Sequence, residues 1–384
     1  MKAPINHGYM RSNNKRSVFN YIHNNSPVSK RDIAQQLKVS FTSVSTYIAE
    51  LLKENLIISC GNAASTGGRK SELFRPNPDA FYVIGADIQI DCLVVLLLNA
   101  CGMVIQKTVT PLMQQDATYV TGLLSAIITE LCNKTDIATN KLVGIGMGVP
   151  GIVDHQSGCV TFAPNLSWKN IDLKALLNAR QTVVIENEAN AAVIGETTFG
   201  IAQGVENVIY VSIGAGIGTG LVFNRQLFVG KNSLAGEFGH MTVDPKGLPC
   251  RCGNHGCWEA YASSEAALRL YREYARRPIT SYSSLLELII QNDPEALRVM
   301  ESTLSYLALG IANLINGLNP EMIVLGGELA RVKDLIYPQL LQRVKERAFE
   351  SSFQGAAVHF SSLDNHAAAL GAGSLAINQH LATF

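Results

Sequence analysis

Between Gly236 and Glu259 the chain reads GEFGHMTVDPKGLPCRCGNHGCWE, and this segment limits the possible folds more than any other. Cys250, Cys252 and Cys257 crowd one glycine-rich loop, and His240 precedes the first of them by ten positions. Three thiolates and an imidazole complete a tetrahedral Zn²⁺ sphere, leaving no open position for chemistry, so a structural ion is expected. Gly253 and Gly256 let the backbone turn closely around it. A polar loop is a poor place for three inert apolar thiols, which argues against the plain alternative of reduced surface cysteines.

The other five cysteines, Cys60, Cys92, Cys101, Cys132 and Cys159, have no framework spacing and are expected to stay reduced. The longest apolar run, Cys92 to Leu98, is far short of the roughly 18 residues of a membrane span. MKAPINHGYMRSNNKR at the N-terminus lacks the apolar segment of a secretion signal, so a cytoplasmic location is expected. With 384 residues, 47% hydrophobic and 16% charged, the chain has room for two or three ordinary globular domains.

The net charge of zero conceals a division. Residues 1–75 carry eleven Lys/Arg and four Asp/Glu, a net of +7, and the rest of the chain carries −7. A small basic module joined to a larger acidic one points to an anionic partner for the first alone. From Ser12 to Asn25 the spacing predicts a helix with Val18, Phe19 and Ile22 on its apolar face, stopped by Pro27. Ser29 and Asp32 have capping-box spacing for a second helix, with Ile33, Ala34 and Leu37 inward. Ser40 caps a third, in which Val44, Ile48, Leu51 and Leu52 keep helical spacing. Two short helices joined by a tight turn match a helix-turn-helix.

On the third helix Ser40, Thr42, Ser43, Thr46 and Tyr47 are the expected DNA contacts, because the start of a recognition helix meets base edges and phosphates. Leu56–Ser59 and Ser71–Phe74 read as two strands around the tip AASTGGRK, completing a winged helix in which Arg69 and Lys70 approach the minor groove. Residues 76–80, with Pro76 and Pro78, read as a linker.

From Phe81 onward strands alternate with helices. Strands are expected at Tyr82–Asp87, Cys92–Leu98, Leu142–Gly148, Thr182–Ile185, Val208–Ile213 and Met322–Leu325, and helices within 117–133, 188–199, 262–275 and 300–317. This is an α/β pattern, with ligands expected at the carboxyl ends of strands.

The motifs GMGVPGIVD (146–154), APNLSW (163–168), ENEANAA (186–192), SIGAGIGTGL (212–221), GEFGH with CxCGxxGC, and IVLGGELA (323–330) follow one another in an order that resembles the ROK family of repressors, open reading frames and sugar kinases. Including the winged helix, the resemblance runs from about residue 10 to the C-terminus. It implies two actin-like (ribonuclease H-like) α/β lobes over residues 81–384 with a sugar in the cleft between them. It also implies sugar contacts from Asn165, Asn187, Glu188, Glu237, His240 and Glu259, whose amides and carboxylates suit vicinal hydroxyls. His240 would serve zinc through one ring nitrogen and a sugar hydroxyl through the other.

Family kinases carry Asp-x-Gly-Gly-Thr as a first phosphate loop, where this chain has Asp87-Ile88-Gln89-Ile90-Asp91. Side chains replace the bare backbone that phosphates approach, and Glu188 stands where the kinases have a catalytic aspartate. The expectation is therefore no enzyme. The SIGAGIGTGL turn and the Gly326-Gly327 pair read as tight turns kept for packing. The chain is expected to be a sugar-responsive transcriptional regulator, most similar to xylose-repressor-type members, forming a homodimer or higher homo-oligomer on operator DNA and released by a monosaccharide. An ATP-dependent sugar kinase with a DNA-binding appendage is the enzyme alternative, and control by a protein partner is the third.

Overall fold

The structure, a computed structural model, describes residues 7–63, 71–154 and 157–383, with side chains of the first helix described from residue 14 onward. It begins with α1 (His7–Asn25), β1 (Val28–Ser29), α2 (Lys30–Leu37) and α3 (Phe41–Lys53), followed by β2 (Ile57–Asn62) and β3 (Glu72–Pro76). Local chemistry sets these boundaries. The Ser29 hydroxyl accepts from the Asp32 N–H while the Asp32 carboxylate accepts from the Ser29 N–H at 2.9 Å, which satisfies two orphan donors at the start of α2. Ser40 opens α3 by accepting from the Ser43 N–H at 3.1 Å. β1 and β2 flank β3 in an antiparallel sheet, completing the winged helix-turn-helix.

Val18, Phe19, Ile22, Ile33, Val44 and Ile48 fill its core as their periodicity predicts. Two positions on α3 differ from expectation. Tyr47, expected on the DNA face, is only 7% exposed, because it lies three residues after Val44 and four before Leu51 and so shares their inward stripe. Leu52, expected inward, is 39% exposed, because it falls at the edge of that stripe. Arg69 and Lys70 lie outside the described residues.

The larger part is a duplicated α/β frame. In the first lobe β4 (Tyr82–Ile88), β5 (Cys92–Asn99) and β6 (Val104–Pro111) form an antiparallel meander. Next come α4 (Ala117–Lys134) and β7 (Leu142–Val149), which lies parallel to β4. A small sheet of β8 (Ile152–Val153), β9 (Val160–Ala163) and β10 (Trp168–Ile171) precedes α5 (Leu173–Leu177) and β11 (Thr182–Asn187). The main sheet has the order β11-β7-β4-β5-β6.

After α6 (Glu188–Phe199) the same plan repeats: the meander β12 (Val208–Ile213), β13 (Ile217–Phe223) and β14 (Gln226–Leu227), then the cysteine loop and α7 (Glu259–Ala262), α8 (Ser264–Ala275), α9 (Tyr282–Ile290) and α10 (Pro294–Leu318). β15 (Met322–Gly326) runs parallel to β12, and α11 (Lys333–Lys345) and α12 (Glu350–Gly355) lead to β16 (Ala357–Phe360). This sheet has the order β14-β13-β12-β15-β16, the same meander followed by two parallel strands. The two sheets are the actin-like lobes that the family resemblance implies.

α13 (Ala367–Leu381) returns to the first lobe and crosses α6. The crossing is close: a Cβ at Gly371 would stand 1.7 Å from the Ala191 carbonyl oxygen, so only glycine fits there. One hydrophobic cluster joins Val18, Ile22 and Phe74 of the winged helix to Leu96 and Leu98 of β5 and Ile377 and Leu381 of α13. His23 Nε2 lies 3.1 Å from the Ala100 carbonyl oxygen at the same junction. Asn77 folds the connecting segment back, its Nδ2 donating to the Asn55 carbonyl at 2.8 Å and its N–H to that of Leu56 at 2.9 Å.

Candidate functional site

A cavity of about 1050 Å³ separates the lobes, and Asn165, Asn187, Glu188, Glu237, His240 and Glu259 all line it. Strand ends and helix starts bring them there. Asn187 ends β11 and caps α6, its Oδ1 accepting from the N–H groups of Ala189 and Asn190 at 2.9 and 3.1 Å. Its Nδ2 donates to the Gly151 carbonyl at 2.9 Å and to Glu188 Oε2 at 3.2 Å. Asn187 thus holds the site's shape with groups already committed inside the protein. Asn165, in the short turn Pro164–Leu166 before β10, is half-buried, and its Oδ1 accepts from Arg251 Nη1 at 3.2 Å. That bond spans the cleft, since Arg251 sits between two of the loop cysteines.

Glu188 is the first residue of α6. Burial pushes its carboxyl up to about 8, and the neighbouring Asp87 charge adds to the shift. Asp87, at the end of β4, is itself pushed up to about 6 by burial, although Gln89 Nε2 donates to its Oδ2 at 2.7 Å. The Gln89 carbonyl oxygen accepts from Cys92 Sγ at 3.2 Å, so the whole carboxamide is folded into the β4–β5 turn. Two carboxyls with raised pKa values deep in one cleft favour a neutral ligand whose hydroxyls can both accept and donate, over an anionic one.

The SIGAGIGTGL segment has a more specific role than tight turning. A Cβ at Gly218 would lie 2.9 Å from Glu188 Oε1, and one at Gly216 would lie 2.6 Å from Glu259 Oε2. These glycines make room for carboxylates on both walls of the cleft.

His240 closes the short turn Glu237–His240, and the cysteine loop folds against it as a small hairpin with bridges Thr242 to Cys257 and Pro249 to His255. One ligand atom from each of His240, Cys250, Cys252 and Cys257 lies within 4.8 Å of every other. Tetrahedral zinc with Zn–S near 2.3 Å and Zn–N near 2.0 Å sets sulfur–sulfur spacing at about 3.8 Å and sulfur–nitrogen at about 3.5 Å. Cys252 Sγ and Cys257 Sγ are 3.6 Å apart, and Cys250 Sγ is 3.6 Å from His240 Nδ1. The donor set and its spacing therefore fit the ion. Nδ1 faces the sulfurs, while Nε2 lies 3.8 Å from Glu237 Oε2 on the cleft side. Glu259 Oε1 lies 3.1 Å from Cys250 Sγ, which places the other wall carboxylate beside the same loop.

On the winged helix, Ser40, Thr42 and Thr46 are exposed along α3. Ser43 is partly covered and its hydroxyl accepts from that of Ser40 at 2.8 Å, whereas Tyr47 belongs to the core. Asp87 and Arg251 are cleft residues that sequence reasoning did not single out. Asp87 appeared only as part of a lost loop, and the placement of Arg251 between Cys250 and Cys252 was its one visible signal.

A winged helix-turn-helix built onto a duplicated α/β frame with a polar interlobe cleft defines a DNA-binding regulator on a sugar-kinase scaffold. The chain belongs to the ROK family: the ROK family model matches residues 83–379, and a winged helix-turn-helix DNA-binding model matches residues 11–58. It is 32% identical over 375 residues to the xylose repressor of Bacillus spizizenii, covering 97% of each chain. A crystal structure of a ROK family transcriptional regulator, a homologue of the E. coli MLC protein, superposes with a TM-score of 0.82 at 26% identity, covering 97% of this chain and 96% of that one. A ROK family glucokinase from Streptomyces griseus, solved with glucose and AMPPNP, gives a TM-score of 0.68 at 27% identity over 77% of this chain and 99% of its own. Among the described residues no helix is long and apolar enough to cross a membrane.

Proposed function

We propose that this protein is a sugar-controlled transcriptional repressor, with residues 1–75 as the operator-binding module and a monosaccharide seated among Asn165, Glu188, Glu237, His240 and Glu259, beside the Asn187 cap. The observation that carries the reading is that all six polar residues line one cavity in the same molecule as a capped recognition helix. The xylose repressor likeness makes xylose the first sugar to test. Zinc is the ion proposed for His240 and the three cysteines, where it would brace the wall that presents His240 and Glu259.

Gln89 supports the absence of kinase activity, because its carboxamide fills the turn where a phosphate needs bare backbone. Glu188 adds a methylene at the position of the kinase base, and a base must meet its proton within about 2.6–3.2 Å. The protein acts on a palindromic operator as a homodimer, which sets two recognition helices in successive major grooves. Sugar releases DNA by binding the DNA-free state more tightly than the DNA-bound one.

The test is a monosaccharide panel, xylose first, against binding of the protein to DNA upstream of its own gene, with a parallel arm of sugar plus ATP. Loss of DNA binding with one sugar and no ADP formation is expected. ADP formation that depends on Glu188 would restore the kinase reading.

A further inference from the structure

The outward face of α3 lacks the side chains with which proteins most often read bases. Phe41, Thr42, Thr46 and Ala49 are exposed and Ser45 is partly exposed, and none carries a charge or an amide. Arginine or lysine pairing with guanine, and asparagine or glutamine pairing with adenine, need forked or charged groups, and α3 has no charged residue before Glu50 and Lys53. Bidentate readout is therefore closed to its first two turns.

Those turns offer apolar groups instead. Phe41 is the first helical residue after the Ser40 cap, at the end of a recognition helix that meets base edges, and it is 59% exposed. The Thr46 hydroxyl donates to the Thr42 carbonyl at 3.1 Å, which leaves its methyl as the uncommitted part of the side chain. Ala49 adds another methyl on the same face. The apolar feature that B-DNA presents in the major groove is the C5-methyl of thymine, and threonine methyls, alanine and phenylalanine are the groups that pack on it.

We infer that this repressor reads its operator chiefly through thymine methyl groups, with Phe41 as the leading contact, so each half-site holds thymine opposite the start of α3. The inference rests on the DNA-binding reading and adds the chemistry by which sequence is recognised. Phe41 is a specificity residue here, and the phosphate contacts that position the helix are separate from it.

The experiment is selection from a random duplex pool by full-length wild type and Phe41→Ala protein. Thymine is then replaced by deoxyuridine, and separately by 5-bromodeoxyuridine, at the selected positions. Wild type should enrich thymine at a fixed place in each half-site and lose about fourfold in affinity per methyl removed, the value of one buried methylene-sized group. The bromine atom should restore that loss. Phe41→Ala should lose the thymine preference at one position and become indifferent to deoxyuridine there, whereas Phe41→Leu should keep most of it. Equal thymine preference in wild type and Phe41→Ala, or an equal deoxyuridine penalty in both, overturns the inference while leaving DNA binding intact. Failure of wild type to enrich any sequence would sink the DNA-binding reading as well.

Discussion

Replacing Glu188 by glutamine should change the slope of stability against pH. The carboxyl is raised from 4.5 to about 8 in the folded chain, by burial first and by Asp87 second. Below pH 4.5 folded and unfolded chains both hold the proton, and the site carries no ionisation penalty. Between pH 4.5 and 8 the unfolded chain releases the proton and the folded chain keeps it, so the native state loses at most about 1.4 kcal/mol per pH unit. Above pH 8 both are ionised and the loss is complete. Water in the cleft screens a half-buried carboxyl, so wild type should lose roughly 2 kcal/mol from pH 6 to pH 8. Glu188→Gln has no proton to release there and should lose correspondingly less over that interval, becoming the more stable protein at pH 8. Asp87, raised to about 6, shares the titration, and Asp87→Asn should remove a smaller part of the same slope. Thermal melts at pH 6, 7 and 8 with zinc in excess measure it, and parallel lines for wild type and Glu188→Gln would refute the electrostatic argument.

Cys252→Ser should lower bound metal below one ion per chain, measured by elemental analysis, and unchanged zinc content would contradict the ligand assignment. Tyr47→Ala should destabilise the winged helix by about 3 kcal/mol through the cavity it leaves, read as a lower melting temperature, whereas Thr46→Ala should weaken operator binding with the melt unmoved. Arg251→Ala should keep its zinc and weaken sugar binding severalfold in calorimetry, since it frees the Asn165 amide to rotate; equal affinity would mean the bond across the cleft has no role in holding that amide. Gly371→Val should lower the melting temperature by forcing α6 and α13 apart at the Ala191 carbonyl, and an unaffected melt would show that the crossing can relax.

Much of the fold was visible in the chain because its boundaries are written in local chemistry. The capping serines 29 and 40, the apolar run of β5 and the 188–199 helix appear where their side chains predict. α13 was not foreseen, because AAALGAGSLAINQHL shows no helical stripe: it is buried on several sides, so no polar face marks its period. Tyr47 and Leu52 departed from their expected burial for a related reason. A tyrosine can end in either place, and a leucine at the edge of a stripe is drawn inward on paper whatever its angle. In the cleft, residue types were legible but their commitments were not. That Asn187 is occupied as a helix cap, and that Arg251 reaches Asn165, depends on which lobe faces which, and spacing along the chain does not encode it.

The hydrophobic cluster shared by the winged helix, β5 and the end of α13 has a mechanical consequence. A DNA-reading head on a loose tether would search independently of what happens in the cleft, and sugar could influence it only by changing its order. Here the head is seated on the same lobe that carries Glu188, and α13 runs from beside the cleft to that seat. A turn of one lobe against the other would carry the head as an oar carries its blade, so in a symmetric pair a few degrees at the cleft become a mismatch with grooves about 34 Å apart. In a homodimer, control would then act on the distance between two heads, with each head unchanged in its fit to its own half-site.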